Sequence, residues 1–406
     1  MGNSQSVVGR APIHMFTSST TWIEGNATQQ LEDVAARKGV LTVAAMPDLH
    51  PGKYGPVGCA VLSKHVHPQF VGADIGCGMG LFALDLNQRR LKAEKAAERL
   101  RVLGEPADEN AGSRRAEIGI GEDSFDGSLG TIGGGNHFCE LQVIEEIIDA
   151  RAAQAAGISA DSVCLLVHSG SRGFGYSILE QVLADSITAL DPGSSAGGGY
   201  LKAHDEAVRW AALNRLLIAE RAAAALRADL QLVTDVGHNQ AEVTRAGVLH
   251  RKGAAAADRG LVPIPGSRGA LSYLVEPLAN APAESLASLA HGAGRKYERG
   301  SMHGRVGSKK SDLARLSRNP FGGIVVCEDR NLLIEEAPEA YKSIGRVIED
   351  LTQFGLARIV ASFRPVVTFK SVRRAVGLTG ETHNNANTSR QKAEGRQRRK
   401  AREDWR

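Results

Sequence analysis

The sequence predicts a mixed α/β fold in a single large domain, on three observations. Short apolar runs of strand length recur along the chain: LTVAAM, CLLVH, LQLVTDV, GIVVCE and RIVASF. Helical patterns lie between some of them. No convincing linker divides residues 1–371. No internal repeat of about 20–50 residues is present, which excludes solenoids and propellers.

The longest helical pattern covers 203–230, where Val208, Ala212, Leu216 and Ala219 fall on one stripe. Before it, DPGSSAGGGY (191–200) reads as a flexible surface loop. Ala337-Pro338-Glu339 opens a second helix with proline in its first turn, running through AYKSIGRVIEDLTQFG to a glycine stop.

The chain has 406 residues, enough for a sizeable core. Its 46 glycines are about 11 %, above the roughly 7 % norm, so tight turns and close backbone approaches are expected. Five cysteines without paired spacing argue against a disulfide framework and for a reducing compartment. No apolar run reaches the ~18 residues of a membrane span, and the N-terminus lacks an apolar signal core, so a soluble, cytoplasmic protein with no membrane partner is expected. The opening MGNSQS fits a myristoylation pattern, but that pattern is too short and common to carry weight. The formal charge of +4 belongs to the end of the chain, because residues 372–406 hold ten Lys/Arg against four Asp/Glu. This basic segment is poor in apolar residues. It is expected to be disordered when free, either as a solvated tail or as an arm that touches RNA phosphates or a ribosomal surface.

Residues able to do chemistry sit at strand ends. LLVHSGSRGFG runs a strand into His168, and LQLVTDVGHN runs another into His238 and Asn239. GTIGGGNHFCELQ places Asn136 and His137 after three glycines, and SLAHGAGRK puts His291 before small residues. Loops at strand ends are where α/β proteins build sites. In VGADIGCGMG, Asp74 and Cys77 stand three positions apart with no second cysteine at zinc-finger spacing. Taken singly, each of these is more often a turn former, a small buried hydrophobe or a hydrogen-bonded structural histidine. Together, Asp74, Cys77, His137, His168 and His238 form an O/S/N donor set that suits Mn²⁺, Co²⁺ or Zn²⁺ better than Mg²⁺ or Ca²⁺. Five donors from four segments exceed one tetrahedral site, and a thiolate able to bridge two ions explains why Cys77 is paired with Asp74.

The motifs DIGCGM, GGGNHF, HSGSRGFG, GHNQAEV, HRKGA, PGSRG, HGAGR and EEAPEAYK stand in this order between MPDLHPG (46–52) and RPVVTFKS (364–371). In them the chain resembles the RtcB family of RNA-splicing ligases. The resemblance implies an RtcB-like single catalytic domain over 1–371, with a two-metal cleft formed by loops at strand ends. It implies two Mn²⁺ ions per chain bridged by Cys77, Asp74 and His137 completing one and His168 and His238 the other. It gives His291 the role of the nucleophile that takes GMP from GTP as a phosphoramidate. It assigns Asn136 to the nucleotide phosphate, and Glu140, Ser272, Tyr341 and Lys370 to the guanine pocket. A carboxylate at Glu140 suits the N1–H and 2-amino donors of guanine and not adenine. His238, Asn239, Ser267, Ala293 and Gly294 complete the implied GTP/GMP contacts, with Lys252 nearby, and Arg172 would grip the RNA terminal phosphate. Gly292, Ala293 and Gly294 are expected to let the backbone approach the nucleotide closely.

The implied activity is GTP- and Mn²⁺-dependent joining of RNA 3′-phosphate or 2′,3′-cyclic phosphate ends to 5′-hydroxyl ends, in RNA repair. Two other readings are an RNA-end or ribosome-binding protein without ligation and a cyclic phosphodiesterase. The presence of all five metal donors and His291 weighs against the first, and the guanine-pocket residues weigh against the second. Arg268, where many members carry methionine, together with the variant MPDLHPGKYGPVG and SLAHGAGR, resembles a bacterial subgroup encoded beside peptide chain release factor H. That likeness implies broken tRNA or rRNA as substrate, with the ribosome, release factor H or an archease-like activator as partners in the same pathway. The basic tail is not part of the family core.

Overall fold

The computed structural model describes residues 10–106, 110–121 and 125–372. MGNSQS and, beyond Val372, the expected basic tail lie outside these residues.

Each of the five apolar runs forms a strand: Val40–His50, Val163–Ser169, Leu230–Gly237, Ile324–Cys327 and Ala357–Ser371. The larger sheet has eight strands. Its spatial order is Val262–Ile264, Ser272–Pro277, Ala357–Ser371, Phe138–Ile147, Val163–Ser169, Gly78–Leu84 and Leu230–Gly237. These neighbours pair antiparallel, while Ile324–Cys327 lies parallel to the far half of Ala357–Ser371. A second sheet of five strands runs Ile13–Met15, Val40–His50, Val57–Ser63, Gly247–Lys252 and Asn239–Thr244. His238 stands where the chain leaves the first sheet for the second.

Side-chain alternation divides the large sheet between two cores. Phe82, Leu84, Leu165 and Val167 pack with Ile218, Ala219, Ala222 and Ala223 of the long helix Ser195–Leu226. Met79, Leu81, Cys164 and Leu166 face the other way, against Leu274, Val360 and Phe363. The mixed α/β class is as the sequence predicts.

Two helices differ from expectation. The long one starts at Ser195, not after Tyr200, because the Ser194 hydroxyl accepts a hydrogen bond from the Gly197 N–H and caps the first turn. The segment expected as a loop is therefore loop only as far as this cap. Its fully buried stripe runs through Ala207, Ala211, Asn214, Arg215 and Ile218, so Val208, Ala212 and Leu216 lie on its margin. The pattern opened by Pro338 is also two pieces. A single tight turn, Pro338–Ala340, ends at the extended Tyr341, and the helix proper is Ile344–Gln353, ending before Gly355 at φ +64°.

The register brings the chemistry to one end of the large sheet. Gly78 pairs with both Ser169 and Gly237, and Phe138 pairs with His168. The starts of two strands thus meet the ends of two others, carrying Cys77, His137, His168 and His238 to one edge. The long helix presses on this edge: a Cβ on Gly76 (φ +72°) would lie 2.8 Å from the Val208 Cα. Glycine is required there by close approach as well as by backbone angle.

Candidate metal centre and nucleotide pocket

Cys77 is the common member of two donor groups, Asp74–Cys77–His137 and Cys77–His168–His238, each with its ligand atoms within 4.8 Å of one another. The Cys77 Sγ lies 3.2 Å from His168 Nε2 and 3.4 Å from His137 Nε2, and His137 Nε2 is 2.8 Å from Asp74 Oδ2. The other ring nitrogens are held by backbone carbonyls: His137 Nδ1 by Ile132 O and His168 Nδ1 by Asn136 O, both at 3.1 Å. An Nδ1–H donated to a carbonyl leaves Nε2 with its lone pair, the tautomer a metal ligand needs.

The donors fit divalent ions. Burial holds His168 and His238 well below the ordinary imidazole range, so both are neutral. Burial, with Asp74 beside it, pushes the Cys77 thiol well up, an effect that a cation at this point would offset. His238 Nδ1 is buried without a hydrogen-bond partner among the described residues. Its main chain is fixed, since its N–H donates to Cys77 O at 2.8 Å and its carbonyl accepts from Ala254 at 3.2 Å. Soft and borderline donors of this kind suit transition-series ions and Zn²⁺.

Two residues unnoticed in the sequence hold these loops from behind. Arg215, on the buried face of the long helix, donates to both Asp235 oxygens (2.5 and 2.8 Å) and to Gly76 O (2.8 Å) and Ser169 O (2.9 Å). Asn214 donates to Ser169 Oγ (3.0 Å), Gly170 O (3.2 Å) and Thr131 O (3.3 Å). Periodicity counts apolar positions, so two polar residues on a buried face carry no signal by that rule.

His291 lies beside the donor cluster, its ring centroid 4.8 Å from that of His238. Asp48, fully buried, accepts from His291 Nδ1 at 2.6 Å and from the His291 N–H at 3.0 Å. With Nδ1–H donated to Asp48, Nε2 carries the ring's lone pair. Asp48 stands inside MPDLHPG, but nothing in that motif's spacing marks it as the partner of a residue so far along the chain.

A pocket opens from His291 and is lined by Asn136, Glu140, Ser267, Ala293, Tyr341 and Lys370 among others. The Glu140 carboxylate accepts from Gln142 Nε2 at 2.7 Å and Thr368 Oγ1 at 2.5 Å, and burial raises its pKa. Ser272 does not line this pocket; it accepts from Gln142 at 3.0 Å and so stands behind Glu140. A wider cleft adjoins, lined by Asp74, Cys77, His137, His238, Asn239, Gly294 and again Asn136, His291 and Tyr341.

The small residues after His291 are small for an internal reason. A Cβ on Gly294 would lie 2.2 Å from Asp48 O, and one on Gly292 3.1 Å from Pro265 O, so neither position has room for a side chain, while Gly292 and Ala293 line the pocket and Gly294 the wider cleft. Lys252 also faces inward, its ammonium donating to Gly55 O and Gln69 O (3.2 and 3.3 Å) away from both cavities, with burial lowering it to about 8. Arg172 has φ +58°, strained for a side-chain-bearing residue, and its Nε is buried without a partner among the described residues. Its guanidinium occupies the space where a Gly133 Cβ would stand, which explains the first glycine of GGGNHF.

A mixed α/β domain with a two-part N/S/O donor cluster, and a pocket headed by an oriented histidine, is the class of protein this geometry defines. The chain belongs to the RtcB family, whose model, described as tRNA-splicing ligase RtcB, matches residues 30–116 and 104–371. It is 44 % identical over 365 residues to the RNA-splicing ligase RtcB2 of Escherichia coli, covering 88 % of this chain and 96 % of that protein. It is 31 % identical over 434 residues to the RNA-splicing ligase RtcB of Mycobacterium bovis, with 83 % and 99 % covered. Identity to the tRNA-splicing ligase RtcB of Archaeoglobus fulgidus is 28 % over 459 residues, with 88 % and 94 % covered.

Proposed function

We propose that this protein is an RNA ligase that joins a 3′-phosphate end, made where needed by opening a 2′,3′-cyclic phosphate, to a 5′-hydroxyl end, using GTP. The names of the relatives support ligation, and the Asp48–His291 pair beside the donor cluster is the observation that carries the route.

His291 Nε2 attacks the α-phosphorus of GTP; a P–N bond forms, the bond to the bridging oxygen breaks, and pyrophosphate leaves. His291 keeps its Nδ1 proton, which it donates to Asp48, and the Asp48 charge stabilises the positive charge that develops on the ring, as a buried carboxylate does for a nucleophilic or basic histidine. Glu140 selects guanine, and Tyr341 and Lys370 close the base pocket around it. An oxygen of the RNA 3′-phosphate then attacks the GMP phosphorus and displaces His291. The 5′-hydroxyl of the second strand attacks the activated RNA phosphorus, GMP leaves, and a 3′–5′ bond results. Asn136, which lines both cavities, supplies a donor for the phosphates, and Arg172, whose backbone N–H donates to Asp74 Oδ1 at 3.2 Å beside the donor cluster, is the proposed grip on the RNA terminal phosphate. Asp74, Cys77 and His137, and Cys77, His168 and His238, would hold two Mn²⁺ ions, which would supply Lewis-acid charge at the phosphates.

RNA with broken ends is the substrate class, and the cytoplasm is the compartment; five free cysteines agree with a reducing one. Among the described residues no helix is long and apolar enough to cross a membrane. The test is to incubate the Mn²⁺-loaded protein with a 5′-hydroxyl RNA and, in separate reactions, an RNA ending in a 3′-phosphate or a 2′,3′-cyclic phosphate. A joined product that needs GTP, with ATP unable to replace it, is expected. Cyclic phosphate opening without joining would replace this reading with a phosphodiesterase.

A further inference from the structure

Glu336 is absent from the mechanism above, yet it is the most heavily engaged carboxylate near the site. Its side chain is 1 % exposed. Oε1 accepts from Arg295 Nη1 at 3.0 Å and from Arg299 Nε at 3.1 Å. Oε2 accepts from the Tyr341 hydroxyl and faces the Lys370 ammonium at 3.7 Å. The two oxygens therefore serve different walls. Lys370 lines the narrower pocket, Arg295 and Arg299 line the wider cleft, and Tyr341 lines both. Glu336 itself is fixed, because Arg268 Nη1 donates to its backbone carbonyl at 2.6 Å.

The arginine side reaches the donor cluster. A Cβ on Gly135 would lie 3.1 Å from Arg299 Nη2, so the third glycine of GGGNHF leaves room for Arg299 beside Asn136 and His137. Arg295 is 13 % exposed and lies 5.3 Å over the Tyr341 ring, whereas Arg299 is 45 % exposed. Of the two, Arg299 is the cation an incoming phosphate can draw away.

We propose that Glu336 is a positioning residue through which occupancy of the nucleotide pocket and the hold on an RNA phosphate in the wider cleft influence each other. This rests on the ligase reading above. A base that engages Tyr341 and Lys370 withdraws donors from Oε2 and leaves more negative charge facing the arginines. A phosphate that draws Arg299 off Oε1 leaves more negative charge facing Tyr341 and Lys370. One carboxylate shared by two sites is a physical route for coupling, and such coupling is reciprocal. Without it, charge neutralisation alone would be the role of Glu336.

The test uses Mn²⁺-loaded full-length protein and a fluorescent RNA oligonucleotide ending in a 3′-phosphate, titrated by anisotropy with and without saturating GMP, a pair that cannot react to completion. In the wild type, GMP is expected to change the RNA Kd by about fivefold or more. In Glu336→Gln the change falls to about twofold or less while each ligand still binds alone. Arg299→Ala, a change at a half-exposed side chain that does not threaten folding, is expected to reduce it likewise. Equal GMP effects in wild type and both variants, or none in the wild type, overturn the proposal. Wild type that binds GMP but no RNA contradicts the ligase reading itself.

Discussion

A single oxygen of Asp48 holds His291 twice, accepting from its Nδ1 at 2.6 Å and from its backbone N–H at 3.0 Å. The side chain and main chain of the proposed nucleophile are thus set by one buried group. Replacing Asp48 by Asn keeps the shape but removes the charge that stabilises the ring as the P–N bond forms. The initial rate of His291 guanylylation is expected to fall about 100-fold or more, read by rapid-quench labelling. A rate within threefold of wild type would show that Asp48 only packs.

Arg215 ties Gly76, Ser169 and Asp235 together, and with them the loops of Cys77, His168 and His238. Arg215→Lys cannot make the bidentate contact with Asp235 and both carbonyl contacts at once. Its Mn²⁺ affinity is expected to drop about 10- to 100-fold by calorimetric titration, the usual effect of losing a residue that orients metal ligands. Arg215→Ala leaves Asp235 unpaired and is expected to cost about 3–5 kcal/mol of stability in urea unfolding.

Cys77 belongs to both donor groups, so its loss affects both. Cys77→Ala is expected to hold fewer than two ions by elemental analysis, whereas Asp74→Ala retains the Cys77–His168–His238 group. Metal bound only by the folded state stabilises it, by about 2.7 kcal/mol at 100 times the Kd. Chelation should therefore lower the wild-type Tm and added Mn²⁺ restore it, with the response much smaller in Cys77→Ala.

Five strands were legible because each is a short apolar run, and the candidate donors because they recur at strand ends, whereas Gly78–Leu84 and Phe138–Ile147, which complete the site, were not. Asn214 and Arg215 were not, since a buried face that binds loops through polar groups looks like a break in the apolar stripe. Asp48 and Glu336 stand inside quoted motifs, but their partners lie far away in the chain or across two cavities, and only the fold makes the pairing visible. Gly294 also packs against the Asp48 backbone, a contact that the small residues of HGAGR do not reveal. The proline at 338 signals a helix start in the sequence, but Tyr341 leaves the helical path there and donates to Glu336.

The Glu336 hub also predicts a pH dependence. Burial opposes its ionisation, but Lys370, Arg299 and Arg295 outweigh that and lower its pKa from 4.5 to about 2. A depressed carboxylate contributes stability that is complete above the unfolded pKa and is lost as pH falls toward the folded one. Between pH 6 and pH 3 the wild type is expected to lose about 2 kcal/mol more than Glu336→Gln, measured by urea unfolding at both pH values. An equal loss would mean that the hub does not favour the ionised form.

His291 is the proposed carrier of the guanylate. The protein, shown by elemental analysis to hold Mn²⁺, is incubated with α-labelled GTP, denatured and tested for acid-labile label, alongside His291→Ala. Label on the wild type and none on the variant is the predicted result. Metal-loaded wild type without label, or a variant labelled as fully as the wild type, would contradict it.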